Sequence, residues 1–383
     1  MTSSPPAVDP VELLAELIRC PSVTPETAGV LDVAERALAA LGFSVTRLRF
    51  EGRGSYPVDN LFATRGSGGP HLLFNGHTDV VPPGEVAAWT HDPFGAEIVD
   101  GMLYGRGAAD MKSGIAAFIA ACADAPATGR ISVAITNDEE ADSVNGTARI
   151  MEWAAAAGHS FDFAIVGEPS ATAKVGDSIK IGRRGSLSAR IIVSGVQGHV
   201  AYPHKALNPL PAAAALVTAL SGALDGGSAH FPASNLEFTS IDVGNPVTNV
   251  IPAQARLALN VRYNDGWTPE SLEAAIRAVI ASQPDTGTRV DLDVLGVPAR
   301  AFLSPTSGAV EVLAQVIAEQ TGSRPEFSTG GGTSDARFIA QYCPVVECGL
   351  PGPTMHKVDE SVAVADVEAL TRLYAGFLAA YLG

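Results

Sequence analysis

Cysteine is scarce in this 383-residue chain: Cys20, Cys122, Cys343 and Cys348 stand far apart, with no CxxC pair among them. Their scatter excludes a disulfide framework and leaves them as reduced packing residues. Basic charge is also in short supply. Against 41 acidic residues stand 25 lysines and arginines, a formal net charge of −16, so no basic excess is available for nucleic-acid phosphate. Long apolar runs are missing too. No segment approaches the roughly 20 residues that span a bilayer, and the opening MTSSPPAVDP has neither the basic n-region nor the apolar core of a leader. The expectation is a cytoplasmic protein with no nucleic-acid or membrane partner.

What is present describes an ordinary soluble globular chain, with 46% hydrophobic and 17% charged residues. The 39 glycines and 26 prolines imply many turns, since no segment repeats or degenerates into low complexity. The length exceeds the size at which one core usually stops growing, so two domains are expected.

Asp9 before Pro10 has the form of a helix N-cap and first turn, opening the amphipathic VELLAELIRC that PSVTP terminates. A second helix, GVLDVAERALAALG, ends at Gly42. Apolar runs read as strands at FSVTRLRF, HLLFNG, ISVAIT, FDFAIVG and CPVVECG, alternating with helices such as MKSGIAAFIAACADA and GTARIMEWAAAAG. Buried strands interleaved with helices indicate an α/β domain with a largely parallel sheet between helices. Between about 180 and 295 the rhythm changes to strand, helix, strand, strand, helix, strand, the split βαβ order of a ferredoxin-like α+β unit. The expected organisation is therefore a catalytic domain in two pieces, 1–180 and 296–383, with an inserted domain at 181–295. The inserted sheet would expose its edges unless something pairs with them, and dimerisation is one solution.

Residues able to bind metal collect where strands end. His77 follows HLLFNG, Glu139 and Glu140 follow ISVAIT, Glu168 follows FDFAIVG, His356 lies a short loop beyond CPVVECG, and Asp110 immediately precedes a helix. In open α/β sheets that edge is where ligands bind. Two histidines with several carboxylates and no nearby thiolate suit Zn²⁺, Co²⁺ or Mn²⁺. Asp110, standing between His77 and the glutamate pair, is the natural bridge between two ions. Asp79, two positions after His77, lies on the same side of an extended segment and can orient the imidazole. Neighbouring Glu139 and Glu140 face opposite ways in an extended segment, so one is expected as a ligand and the other as a proton carrier.

The successive stretches GHTDVVPPG, DGMLYGRGAADMKSGIAAF, TNDEEADSVNGT, GEPS and MHKVDESV resemble the motifs of the M20 family of di-zinc metallopeptidases and deacylases, over nearly the whole chain. The resemblance implies a zinc-exopeptidase-like catalytic domain and an inserted lid and dimerisation domain. It implies two zinc ions per subunit, with cobalt able to substitute: His77 and Glu168 on one, Glu140 and His356 on the other, Asp110 bridging. Glu139 would be the general base and the peptide after Asp110 cis. His199 would stabilise an oxyanion from the partner subunit of a homodimer. Arg183, Ser186, Tyr202, Asn249, Arg262, Gly332 and Thr333 match positions that hold a small-molecule substrate or product. The implied activity is hydrolysis of an amide bond. A non-catalytic metal-binding assembly protein is the rival reading, against which stands Glu139, for which such a protein has no need.

Overall fold

The computed structural model describes residues 8–383, so the opening MTSSPPA lies outside the described residues. The chain forms two compact units. One comprises the described chain up to Ile181 with Ser304–Ser328 and Ser334–Gly383; the other comprises Gly182–Leu303 with Thr329–Thr333.

The first unit begins as its N-cap dictates. The Asp9 carboxylate accepts from the backbone N–H of Val11 and Glu12, and the helix runs Pro10–Ile18. At the centre lies an eight-stranded sheet in the order Ser44–Gly52, Ser55–Ser67, Gly129–Thr136, His71–His77, Phe163–Val166, Val345–Glu347, Ser178–Lys180, Glu326–Ser328. His71–His77 pairs in parallel with Gly129–Thr136 on one side and with Phe163–Val166 on the other, and Val345–Glu347 continues the parallel run. Every residue of His71–His77 is buried, as expected of a parallel strand covered on both faces. Helix Ser113–Ala121 is wholly buried beside it, with Phe118 stacked on Phe74 at 4.1 Å and Tyr374 of helix Val364–Leu382 edge-on to both. Removing such a side chain, as in Phe118→Ala, costs about 3–5 kcal/mol.

The first two strands depart from the parallel pattern. Ser44–Gly52 and Ser55–Ser67 form an antiparallel hairpin, and the second strand joins Gly129–Thr136 antiparallel. The sequence pattern does not single out Ser55–Ser67 because Pro57, Asp59 and Asn60 interrupt its apolar residues.

The second unit carries the ferredoxin-like order. Strands Gly185–Ser194, Asn235–Asp242, Gln254–Tyr263 and Arg289–Ala299 alternate with helices Leu210–Leu220 and Pro269–Ser282. The resulting antiparallel sheet places Gln254–Tyr263 and Gly185–Ser194 in the middle and Arg289–Ala299 at an edge. Leu187, Ala189, Ile191 and Val193 alternate inward, packing with Leu216, Leu220, Leu272 and Ile276 of the two helices. This unit reaches beyond 295 because Phe302–Leu303 pairs with Gly182–Arg183 and closes the insertion on itself. Among the described residues no helix is long and apolar enough to cross a membrane.

Candidate metal centre

The parallel strands of the first unit deliver their C-terminal ends to one edge, and the candidate ligands follow from that. His77 ends its strand opposite Thr136 in the neighbouring one, after which the chain turns through Asn137 and Asp138 to Glu139 and Glu140. Phe163–Val166 leads through Gly167 to Glu168, and Val345–Glu347 leads into the loop bearing His356. Asp110 sits in the turn before helix Ser113–Ala121, and the Asp110–Met111 peptide is cis.

Asp110 lies between two imidazoles. Its Oδ1 is 3.1 Å from His77 Nε2 and its Oδ2 is 3.3 Å from His356 Nε2. Each histidine also meets a glutamate: Glu168 Oε1 is 3.6 Å from His77 Nε2, and Glu140 Oε1 accepts from His356 Nε2 at 2.9 Å. Ligand atoms of His77, Asp110 and Glu140 lie within 4.8 Å of one another, as do those of His77, Glu139 and Glu168. His77 is common to both groups; the adjacent glutamates differ in that Glu140 also meets His356 while Glu139 groups with Glu168. His77 is buried while His356 is exposed, on a loop where its φ is +61°.

Asp79 meets His77 through its main chain. His77 Nδ1 donates to the Asp79 carbonyl at 2.9 Å, while the carboxylate is 3.7 Å from that nitrogen. The carboxylate accepts instead from the backbone N–H of Glu139 (3.2 Å to each oxygen) and Glu140 (3.1 Å), and from the Thr24 hydroxyl (2.9 Å). Asp79 is fully buried, so these bonds are what keeps its charge in place.

Electrostatics show what the cluster lacks. Burial alone would lower His77, yet Asp110 and Glu168 raise it well above its ordinary value. Hydrogen bonds to Asp110 and Glu140 raise His356 to about 10. Burial pushes Asp110 up, but the same two imidazoles hold it well below the usual carboxylate range. Burial, aided by Asp110, pushes Glu168 well up, and burial raises Glu139 to about 8. Carboxylates outnumber the histidines, so the cluster favours positive charge beside it. All donors are imidazole nitrogen or carboxylate oxygen and no cysteine joins either group. The set fits a pair of borderline-hard divalent cations.

Three buried residues behind the cluster carry weak sequence signals. Glu360 is only a carboxylate four positions after His356, and it forms a buried ion pair with Arg106 at 2.6 Å. Lys112, buried beside Met111, donates to the carbonyls of Leu17 and Cys20 and anchors the end of the first helix.

In the second unit the remaining candidates fall into two groups. Arg183 is largely buried, donates to the Gly330 carbonyl at 2.9 Å, and lies against Gly331, where a Cβ would overlap its guanidinium. Gly332 and Thr333 continue that loop, and Ser186 stands opposite Arg262 across the sheet. In the other group, strand Gly198–His199 pairs with Val250–Ile251, Val200 N–H donates to the Asn249 carbonyl, and Tyr202 N–H donates to the His199 carbonyl. The His199 and Tyr202 rings lie 5.7 Å apart, both exposed.

Residues 73–380, most of the chain and all the candidate ligands, match the sequence profile of peptidase family M20/M25/M40. The chain belongs to this family. It is a metal-dependent amidohydrolase by that membership and by its relatives. It is 52% identical over 386 residues to the succinyl-diaminopimelate desuccinylase of Rhodopseudomonas palustris (strain BisB18), covering 98% of each chain. The protein of that name from Nitrobacter hamburgensis is also 52% identical over 388 residues, covering 98% of this chain and 99% of the other. Among solved structures, aminopeptidase PepT from Bacillus cereus ATCC 10987 superposes with a TM-score of 0.78 at 21% identity, covering 97% of each chain, a likeness of fold.

Proposed function

We propose that this M20 enzyme hydrolyses N-succinyl-L,L-2,6-diaminopimelate to succinate and L,L-2,6-diaminopimelate, a step toward lysine and the cell-wall diamino acid, in the cytoplasm. The reading is supported by 52% identity to desuccinylases across 98% of the chain. The observation that carries the chemistry is Asp110, whose two oxygens each face a different imidazole. In this reading His77 and Glu168 would hold one zinc and His356 and Glu140 the other, with Asp110 shared between them; cobalt could substitute.

When bound, the two cations stabilise negative charge developing on the amide oxygen and make water easier to deprotonate. Glu139 accepts the proton from the attacking water and returns it to the amine nitrogen as the C–N bond breaks. A carboxylate raised to about 8 by burial without cations is readily ionised once positive charge sits beside it. Asp79 holds the main chain of Glu139 and its neighbour, so the base is placed before substrate arrives.

Binding a substrate with several carboxylates calls for guanidinium forks, the role assigned to Arg183 and Arg262, with Ser186, Tyr202, Asn249, Gly332 and Thr333 supplying orienting contacts. The second unit acts as lid and homodimer contact, its edge strand Arg289–Ala299 carrying Val297 at 94% exposure. His199 reaches the neighbouring subunit's oxyanion. The test is succinate release from N-succinyl-diaminopimelate against acetate release from N-acetylornithine, the substrate of another amidase chemistry. Preference for the acetylated compound would remove the substrate assignment while leaving amide hydrolysis standing.

A further inference from the structure

We infer that Glu360 is a positioning residue that fixes the spacing between Asp110 and His356, and so the affinity of the second cation; the inference rests on the two-cation reading above. Glu360 is fully buried, and all the acceptor capacity of its carboxylate is directed at the turn that bears Asp110. Its Oε2 accepts from Arg106 Nη1 at 2.6 Å and from the Gly107 N–H at 3.1 Å. Its Oε1 accepts from the N–H groups of Ala109 at 2.8 Å and of Asp110 itself at 3.2 Å. The Glu360 main chain joins in, its carbonyl accepting from the Gly105 N–H at 2.8 Å. Directly afterwards Ser361–Ala363 pairs with Met102–Tyr104. One residue therefore stitches the turn 105–110 to the loop that carries His356 four positions earlier.

The two sides of the cluster depend on that stitch unequally. His77 and Glu168 extend from buried strands of the central sheet, and Glu140 is held by Asp79. His356 sits on an exposed loop, where Thr354 bonding to Ser361 closes the turn upon itself. What relates this loop to Asp110 is the Glu360 carboxylate and the short strand beyond it. A group that orients a ligand in this way typically changes metal affinity by roughly 10- to 100-fold.

Glu360→Gln preserves size but leaves one acceptor oxygen. Its NH₂ must face either the Arg106 and Gly107 donors or the Ala109 and Asp110 donors, donor against donor. Chain stripped with a chelator is titrated with Co²⁺ and followed by the visible absorption of the bound ion, beside a thermal melt. The parent takes two equivalents. The variant takes the first with little change and the second more weakly by roughly 10- to 100-fold, with an altered spectrum for the second ion. A variant that melts earlier yet binds both equivalents as the parent does would make Glu360 structural only and overturn the inference. A parent that takes fewer than two equivalents would overturn the two-cation reading itself, and the inference with it. Should Glu360→Gln fail to fold, Arg106→Lys, which keeps the charge but shifts the donor away from the Nη1 position that meets Glu360 Oε2 at 2.6 Å, is titrated instead. A smaller loss confined to the second equivalent is then expected, and parental affinity for both ions refutes the role.

Discussion

Truncating Asp79 to alanine separates two ways in which this residue can serve the site. If its carboxylate orients the His77 ring, the ring loses its support; if its carbonyl does, the ring keeps it. The carbonyl accepts from Nδ1 at 2.9 Å, whereas the carboxylate lies 3.7 Å off and is occupied by the N–H groups of Glu139 and Glu140. Asp79→Ala therefore leaves the His77 tautomer fixed and strands two half-buried amides. At about 1–3 kcal/mol for each unsatisfied group, the loss of stability comes to about 2–6 kcal/mol. The freed Glu139–Glu140 segment shifts, and a displacement near 1 Å at the base costs on the order of 10² in kcat. The assay combines nitrogen-15 NMR of the His77 ring, hydrogen exchange at the two glutamate amides, a urea melt and kcat. Expected are an unchanged protonated Nδ1, faster exchange at both amides and the stated losses. A His77 ring that changes tautomer while the two amides stay protected would refute the reasoning.

Three other outcomes are expected. Glu139→Gln retains about two metal ions per chain yet loses on the order of 10² to 10⁴ in kcat; metal content measured beside rate decides, since lost metal would make Glu139 a ligand. His71, buried against Ser132 at 2.8 Å and lowered by burial to about 4, stays neutral in the fold while the unfolded chain protonates near 6.5. Stability from this group is full above that value and declines as pH falls toward 4, and urea unfolding of His71→Gln against the parent at pH 7.5 and pH 5 measures the difference. Co-expressed Glu139→Ala and His199→Ala chains, pairing at random, regain about a quarter of parental activity if His199 serves the partner's site; activity at the homodimer background, with mixed dimers isolated by two tags, excludes that service.

The central strands are readable in the sequence because HLLFNG, ISVAIT and FDFAIVG are uninterrupted apolar runs, and a strand buried on both faces needs nothing else. Asp9–Pro10 marks a helix start because capping chemistry is local. Strand Ser55–Ser67 lacks such a mark: its place depends on pairing with Gly129–Thr136, some 70 residues later. The candidate ligands stand out only together, because a single acid or histidine after a strand is ordinary turn chemistry, whereas His77, Asp110, Glu140, Glu168 and His356 all fall at strand ends or a helix start. Their supporting bonds do not, since nothing in the sequence says that Glu360 and Arg106, 254 positions apart, share a buried ion pair. The service of Asp79 through its carbonyl is likewise invisible, because the HTD spacing predicts proximity and leaves open which oxygen His77 meets.

The arrangement of metal around Asp110 tests the account most directly. Anomalous diffraction from crystals of the zinc-loaded chain, collected on both sides of the zinc edge, locates each ion independently of the protein atoms. The account predicts two peaks, one contacted by His77 and Glu168, the other by His356 and Glu140, with one Asp110 oxygen turned to each. A single peak, or two ions without Asp110 between them, would contradict it.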